Sequence, residues 1–194
     1  MSSAIDLSKQ ADKIILFLGL DEAKEAESLD REDMKLNANQ IELVDEISKL
    51  GKPIVVVLSG GSPIELPFEE KVQGIVHSYL SGQAGAQAIL NILSGKVNPS
   101  GKLSETYSSS YNDVSTSLTF PSIKRTVEYR EAFAIGYRYA EIANIKPKYP
   151  FGYGLSYTTF SYSKINISSN GVSFVLKNIG TVYGKEVAQL YVGL

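Results

Sequence analysis

The sequence predicts an α/β fold, an αβα sandwich with a mostly parallel sheet, which is followed by an incomplete β-sandwich. Short, continuously apolar runs alternate with longer amphipathic segments over residues 8–93, as in buried parallel strands joined by helices. Residues 102–155 are rich in Ser, Tyr, Pro and Gly and show little periodicity. From residue 160 onward, short segments of alternating polarity are separated by turn signals, which is typical of antiparallel strands.

Each element of the first region follows from its local pattern. Buried strands are predicted at residues 14–18, 53–58 and 72–79. Helices are predicted at residues 38–50 and 84–93. The first helix is indicated by Ile41, Val44 and Ile47, which recur at helical spacing, and Gly51 ends it. The second is rich in small residues, so it is expected to pack closely on the sheet.

The two later regions have a different character. Residues 102–155 are predicted to form long ordered loops over the sheet or a neighbouring domain, because loops of this length are usually functional or interfacial. Three further strands are predicted at residues 160–167, 171–176 and 186–192. A β-sandwich domain usually needs about 100 residues, so the pattern predicts a chain that stops inside its second domain.

Composition limits the partners and the chemistry. The chain has 194 residues, 19 of them basic and 21 acidic, and its net charge of −2 offers no electrostatic footprint for nucleic acid or an anionic membrane. It has no cysteine and a single histidine, His77, which excludes thiolate nucleophiles and multi-histidine metal sites. The N-terminus lacks a signal-peptide pattern, and every apolar run is far shorter than the ~18–20 residues of a membrane span. We therefore expect a soluble protein with no signal peptide on this chain.

An acidic stretch at residues 21–33 is the sharpest local feature. It leaves the carboxyl end of the first predicted strand, where open α/β sheets hold their ligands. Most such charge runs are solvated loops. Neighbouring carboxylates also raise one another's pKa, so one of them is a candidate general acid. An ion pair between Asp30 and Arg31 is expected to hold the loop in one shape.

Three other features have simpler interpretations. The turn at residues 59–63 contains two glycines and two serines, but it lacks the spacing of a phosphate-binding loop. It is predicted to be a tight turn, with phosphate binding as the minor alternative. Gly82 and Gly85 indicate close backbone packing. His77 lies in an apolar stretch and is predicted to be a buried, hydrogen-bonded imidazole rather than a member of a catalytic triad.

Several segments, taken in order, resemble glycoside hydrolase family 3, the β-glucosidase family. They match its C-terminal α/β domain and the start of its fibronectin type III-like domain. The matching segments are residues 19–31 with Gln40, 82–88, 95–103, 129–131 with 136–139, 149–160, and 177–180 with 184–192. The resemblance divides the chain into an α/β domain at residues 1–155, expected to lack its first strand, and a partial fibronectin type III-like domain at residues 156–194.

The resemblance implies part of a retaining exo-glycosidase that removes terminal non-reducing β-D-glucosyl residues with two carboxylates about 5–5.5 Å apart. The family's Asp nucleophile lies on a (β/α)8 barrel domain, which nothing in this chain resembles. Its general acid/base is a Glu on the loop that carries the Asp-Arg pair. Glu27 is therefore the predicted catalytic residue and Glu25 the second choice, with Asp30 and Arg31 supporting the loop. No metal or organic cofactor is implied.

The absent barrel also sets what we expect of the chain by itself. The 194 residues alone are expected to have no hydrolase activity. The expected partners are the barrel domain and a β-glucoside or oligosaccharide substrate. β-Xylosidase and α-L-arabinofuranosidase activities are the alternatives within the family, because the sugar pocket belongs mainly to the barrel. A non-catalytic carbohydrate-binding or scaffold module is the alternative outside enzymes.

Overall fold

The elements below come from a computed structural model, which describes residues 1–122 and 125–193. The helices are α1 (Ser2–Gln10), α2 (Ala38–Ser48), α3 (Gly85–Leu93) and α4 (Tyr137–Ile142), with 3-10 turns at Glu69–Lys71 and Tyr111–Asp113. The strands are β1 (Ile14–Gly19), β2 (Ile54–Ser59), β3 (Gly74–His77), β4 (Phe160–Ser168) and β5 (Gly171–Asn178). Within these described ranges, no helix is both long enough and apolar enough to cross a membrane.

A parallel three-stranded sheet forms the first half of the chain, with β2 between β1 and β3. β1 pairs with β2 from Ile14↔Ile54 to Gly19↔Ser59, and β3 extends the sheet on the other side of β2. The predicted α/β fold is confirmed, and all three strands lie where the apolar runs place them. β3 is shorter than the predicted residues 72–79, and α2 ends before residue 50.

The core lies on one face of this sheet. Its members from the strands and α2 are Ile14, Leu16, Leu18, Val44, Ile47, Ile54, Val56 and Leu58. Side chains alternate between faces along a strand, so Ile15 and Phe17 of β1 point away from this core and remain 48% and 69% exposed. Burial of one face fixes the register of the strands. Because the three strands are parallel, their carboxyl ends lie at the same edge of the sheet.

Two helices, α1 and α4, are absent from the sequence prediction. α1 has only one buried residue, Ser8, and its nine residues include only three apolar ones, Ala4, Ile5 and Leu7. Its last carbonyl groups are capped from a distance, since Lys52 Nζ donates to Ser8 O at 3.0 Å and to Ala11 O at 2.6 Å. A cap supplied by a residue more than forty positions along the chain cannot be predicted from the local pattern.

Residues 102–155 are mostly irregular, as predicted, apart from one 3-10 turn and the short helix α4; residues 123–124 of this range lie outside the described residues. Tyr107 anchors this region to the core, because its side chain is only 3% exposed. Its backbone N donates to Tyr149 O at 2.8 Å, which joins the two ends of the loop region.

The C-terminal region contains one antiparallel hairpin, in which β4 pairs with β5. The prediction of a strand at residues 186–192 is wrong, because β4 and β5 pair only with each other and a strand needs a hydrogen-bonded neighbour. Two residues at and just before the start of that segment are bound by side chains from earlier in the chain instead. Asn98 Nδ2 donates to Tyr183 O at 3.0 Å, and Lys102 forms a largely buried ion pair with Glu186 at 3.1 Å. Residue 194, the last of the predicted second domain, is outside the described residues.

Candidate functional site

The acidic loop, residues 20–37, leaves β1 at the carboxyl edge of the sheet. Gly19 allows β1 and β2 to approach closely there, because a Cβ at this position would lie 2.4 Å from Ser59 O. Gln40 of α2 holds the same point, since its side-chain amide donates to Gly19 O at 2.8 Å and accepts from Gly19 N at 2.9 Å. The start of the acidic loop is therefore fixed from two sides.

Side chains within the acidic loop close it on itself. One oxygen of Asp21 accepts from the backbone N of Ala23 and Lys24, and the other accepts from Asn37 Nδ2 at 2.8 Å. Lys24 and Asp33 form an ion pair at 3.3 Å across the loop. The loop is thus closed at its base by Asp21 and Asn37 and across its middle by Lys24 and Asp33.

Glu25 faces the turn that follows β2. One of its carboxylate oxygens accepts from Gly61 N at 2.7 Å, and the other accepts from Ser62 Oγ at 2.6 Å. Burial would raise the pKa of Glu25, but these hydrogen bonds, with the charges of Arg31 and His77, outweigh it and lower the pKa below its usual value. The predicted effect of neighbouring carboxylates is therefore reversed at Glu25, which stays ionised.

The same contacts bear on the phosphate-binding alternative for residues 59–63. Gly61 N and Ser62 Oγ are the donors that such a loop would offer to a phosphate. Both are instead occupied by the carboxylate of Glu25. The interpretation as a structural turn is the one that these contacts favour.

Arg31 contacts the turn after β2 and not the expected partner, Asp30. Its Nη1 donates to Ser62 Oγ at 2.6 Å and approaches Pro63 O at 3.3 Å. The expected ion pair with Asp30 does not form, because these acceptors draw Arg31 inward while Asp30 stays exposed. Arg31 Nε and Nη2 are buried and have no hydrogen-bond partner in the described part of the chain.

Glu27 lies in the sequence between Glu25 and Arg31, which both bind the turn after β2, and its side chain is exposed. Its carboxylate makes no hydrogen bond or ion pair with the residues that the structure describes. Ser28, which follows it, has a φ of 65°, the left-handed conformation that residues with a side chain rarely adopt. A tight bend therefore presents the Glu27 side chain at the outer surface of the loop.

His77 ends β3 beside the acidic loop. It has a hydrogen-bond partner, as predicted, but it is only partly buried. Its Nδ1 lies 3.3 Å from Leu58 O, and its ring packs on Tyr79 with centroids 3.9 Å apart. Burial lowers the pKa of His77, and the Leu58 carbonyl and the Glu25 charge only partly offset this effect. Tyr107 packs edge-on against the same ring, and burial raises the pKa of its phenol.

Ser62 belongs to the turn that the sequence predicts to be a tight turn or, as the alternative, a phosphate-binding loop, and its contacts with the acidic loop are not predicted. Its hydroxyl group accepts a hydrogen bond from Arg31 and donates one to Glu25, and both partners lie more than thirty positions before it in the sequence. Its position in a Gly-Gly-Ser-Pro turn at a strand end was the available signal. No cluster of three or more His, Asp or Glu side chains suited to a metal ion occurs within residues 1–122 and 125–193.

The chain is similar to known proteins over nearly all its length. The model of the glycosyl hydrolase family 3 C-terminal domain matches residues 1–157. A thermostable beta-glucosidase B of Acetivibrio thermocellus is 40% identical over 99% of this chain and 26% of its own length. An exo-alpha-(1->6)-L-arabinopyranosidase of Bifidobacterium longum is 37% identical over 98% of this chain and 26% of its own length.

Solved structures agree with the sequence relatives. The crystal structure of a GH3 beta-glucosidase from Bifidobacterium adolescentis superposes with a TM-score of 0.88 and 38% identity, over 92% of this chain and 27% of that chain. A beta-glucosidase from Kluyveromyces marxianus in complex with glucose gives a TM-score of 0.85 and 34% identity, over 94% of this chain and 22% of that one. This chain therefore spans about a quarter of the length of these relatives.

Proposed function

Since the chain belongs to glycosyl hydrolase family 3, we propose that it is the C-terminal α/β part of a retaining, exo-acting β-glucosidase of carbohydrate metabolism, in which Glu27 is the general acid/base. Glu27 protonates the oxygen of the leaving group and then activates the hydrolytic water. The Asp nucleophile belongs to a (β/α)8 barrel domain outside this chain. The 194 residues alone are accordingly inactive.

One observation carries this assignment. Glu27 is an exposed carboxylate with no partner among the described residues, on a loop at the carboxyl edge of a parallel sheet, where α/β proteins bind ligands. Glu22, Asp30 and Glu32 of the same loop are exposed as well, and the position of Glu27, three residues before Asp30 as in the family motif, distinguishes it from them. Glu25, the second candidate, is bound through both oxygens and has a lowered pKa, which suits a structural carboxylate better than an acid. These contacts favour Glu27.

The proposed substrate is a terminal β-D-glucoside or a β-linked oligosaccharide. The similar proteins carry the names beta-glucosidase and exo-alpha-(1->6)-L-arabinopyranosidase. An α-L-arabinopyranoside is therefore the second substrate to assay, before the β-xyloside and α-L-arabinofuranoside that the family resemblance suggests. The sugar pocket is assigned mainly to the barrel, so this chain contributes the acid/base loop to catalysis.

The test is a leaving-group series on the full-length enzyme that carries this chain. We expect Glu27→Gln to lower kcat by about 10²–10⁴-fold for an alkyl β-glucoside, whose leaving group needs protonation. For a dinitrophenyl β-glucoside, whose leaving group needs no protonation, we expect a much smaller loss in kcat/KM, which reports formation of the glycosyl-enzyme. Its kcat should still fall, because hydrolysis of the glycosyl-enzyme needs Glu27 as the base. Glu22→Gln removes an equally charged, exposed carboxylate from the same loop and is the matched control.

The same series separates the enzyme from the alternative module. A Glu27→Gln protein with normal kcat on both substrates would contradict the acid/base role. If that protein instead lost carbohydrate binding while turnover stayed normal, the non-catalytic binding or scaffold module would be favoured.

A further inference from the structure

Two residues of the acidic loop meet on one hydroxyl group of a different loop. Ser62 Oγ accepts a hydrogen bond from Arg31 Nη1 at 2.6 Å and donates its single proton to Glu25 Oε1 at 2.6 Å. Gly61 N, next to it, donates to the other oxygen of Glu25 at 2.7 Å. The segment from residue 25 to residue 31 is therefore tied at both ends to the turn after β2.

Glu27 lies inside this tied segment. We propose that Glu25, Arg31 and Ser62 form a clamp that positions Glu27 for proton transfer, so that all three are positioning residues rather than catalytic ones. The inference rests on the proposed function, because it gives Glu27 the acid/base role. In this proposal, Glu25 and Ser62 increase the rate by holding Glu27 in position, without contacting the substrate.

The spacing makes the clamp suited to this task. Glu27 follows one anchor by two residues and precedes the other by four. Ser28, between them, bends the chain with a φ of 65°, a conformation that persists only where the surroundings impose it. Glu25 and Arg31 both bind the Ser62 hydroxyl, so the residues on either side of this bend are held in place. A loop joined to the sheet only at residues 20 and 37 would leave the Glu27 carboxylate without such a support.

The electrostatics of the clamp agree with a positioning role. The Arg31 guanidinium and the Glu25 carboxylate are bridged by Ser62, so each ion has an oriented partner. The lowered pKa of Glu25 keeps it ionised, which preserves both of its accepted hydrogen bonds. Displacement of a reacting group by about 1 Å costs on the order of 10²-fold in rate. Loss of the clamp should therefore reduce proton transfer without abolishing it.

Ser62→Ala is the primary test, made in the full-length enzyme. It removes the one atom that both anchors share and leaves every carboxylate of the loop in place. For an alkyl β-glucoside, we expect kcat to fall by about 10–100-fold with little change in KM. For a dinitrophenyl β-glucoside, we expect kcat/KM to stay within about threefold of wild type, because formation of the glycosyl-enzyme from that substrate needs no acid. Amide hydrogen exchange should rise in peptides from residues 20–37 and not in β2.

Three further variants make the test specific. Ser62→Thr keeps a hydroxyl and should restore most of the rate. Glu25→Gln keeps the shape of the side chain but weakens the clamp, and should reproduce the Ser62→Ala pattern if that protein is too unstable to assay. Azide should not accelerate either clamp variant, because the Glu27 carboxylate is still present. Glu22→Gln should behave as wild type.

Several results would overturn the clamp. Wild-type kcat on the alkyl substrate for both Ser62→Ala and Glu25→Gln would overturn it, even if Glu27→Gln loses activity as proposed. An equal loss of kcat/KM on both substrates would indicate general structural damage instead. Rescue of Glu25→Gln by azide would make Glu25 itself the acid/base. The proposed function fails by a separate measurement, a Glu27→Gln enzyme that retains its rate on the alkyl glucoside.

Discussion

Glu25 and Glu27 lie two residues apart on one loop, yet their surroundings give them different chemistry. Glu25 is bound by Gly61 N and Ser62 Oγ, while Glu27 is exposed. The sequence marks both as candidates because it shows their spacing from Asp30 and Arg31. It cannot separate them, since the deciding donors come from a turn more than thirty residues away.

His77 provides a residue-scale prediction about pH. Burial lowers its pKa below the ordinary value of 6.5, although the Glu25 charge opposes this shift. The unfolded chain therefore takes up a proton first as the pH falls, and this contribution to stability is full above about pH 6.5 and decreases below it. We expect the free energy of unfolding to fall between about pH 7.5 and about pH 5.5, and to fall less in His77→Gln.

Urea unfolding of the chain and of the variant at the two pH values makes this measurement. The range stays above the region where Glu25 and Asp33 titrate, because both have pKa values lowered from those of ordinary carboxyl groups. An identical pH dependence in the two proteins would contradict a buried, neutral imidazole at position 77.

At the scale of elements, the sheet has one face packed against α2 and an apolar opposite face on β1. Ile54 of β2 is fully buried, whereas Ile15 of β1 is 48% exposed. We expect Ile54→Ala to lower the free energy of unfolding by about 2–5 kcal/mol, through lost burial and the cavity that remains. Ile15→Ala, the same change on the other face, should cost less than about 1 kcal/mol.

Denaturant unfolding of the two variants tests this arrangement. Equal losses would mean that both faces of the sheet are packed to a similar degree. Ile54 and Ile15 look alike in sequence, since each lies in a continuous apolar run. Only the pairing Ile15↔Val55 and the placement of α2 on one side distinguish them.

The elements that the sequence predicts correctly are those with a strong local signal. β1 and β2 are continuous apolar runs, and α2 has an apolar residue at each turn. The failures depend on distant partners. α1 is capped by Lys52, and residues 186–192 alternate in polarity like a strand but have no strand beside them in the described part of the chain. A local sequence pattern shows that a segment could form a strand, but it does not show whether another strand lies beside it to pair with.

At the scale of the whole molecule, the chain corresponds to about a quarter of its relatives. Its sequence predicts the family because the matching motifs occur in order over nearly the whole length. The proposed division at residue 155 stays a prediction. Asn98 lies before it and binds two residues after it, since Oδ1 accepts from Tyr157 N at 2.8 Å and Nδ2 donates to Tyr183 O. These contacts attach the hairpin region to the α/β region.

The central claim, that Glu27 is the general acid/base, has one direct measurement. In Glu27→Ala of the full-length enzyme, azide can occupy the space of the lost carboxylate and attack the glycosyl-enzyme without base assistance. The account predicts that azide accelerates turnover of a dinitrophenyl β-glucoside and that the product is the β-glucosyl azide, while wild type and Glu22→Gln release glucose alone. Unchanged turnover with no glucosyl azide from Glu27→Ala would contradict it.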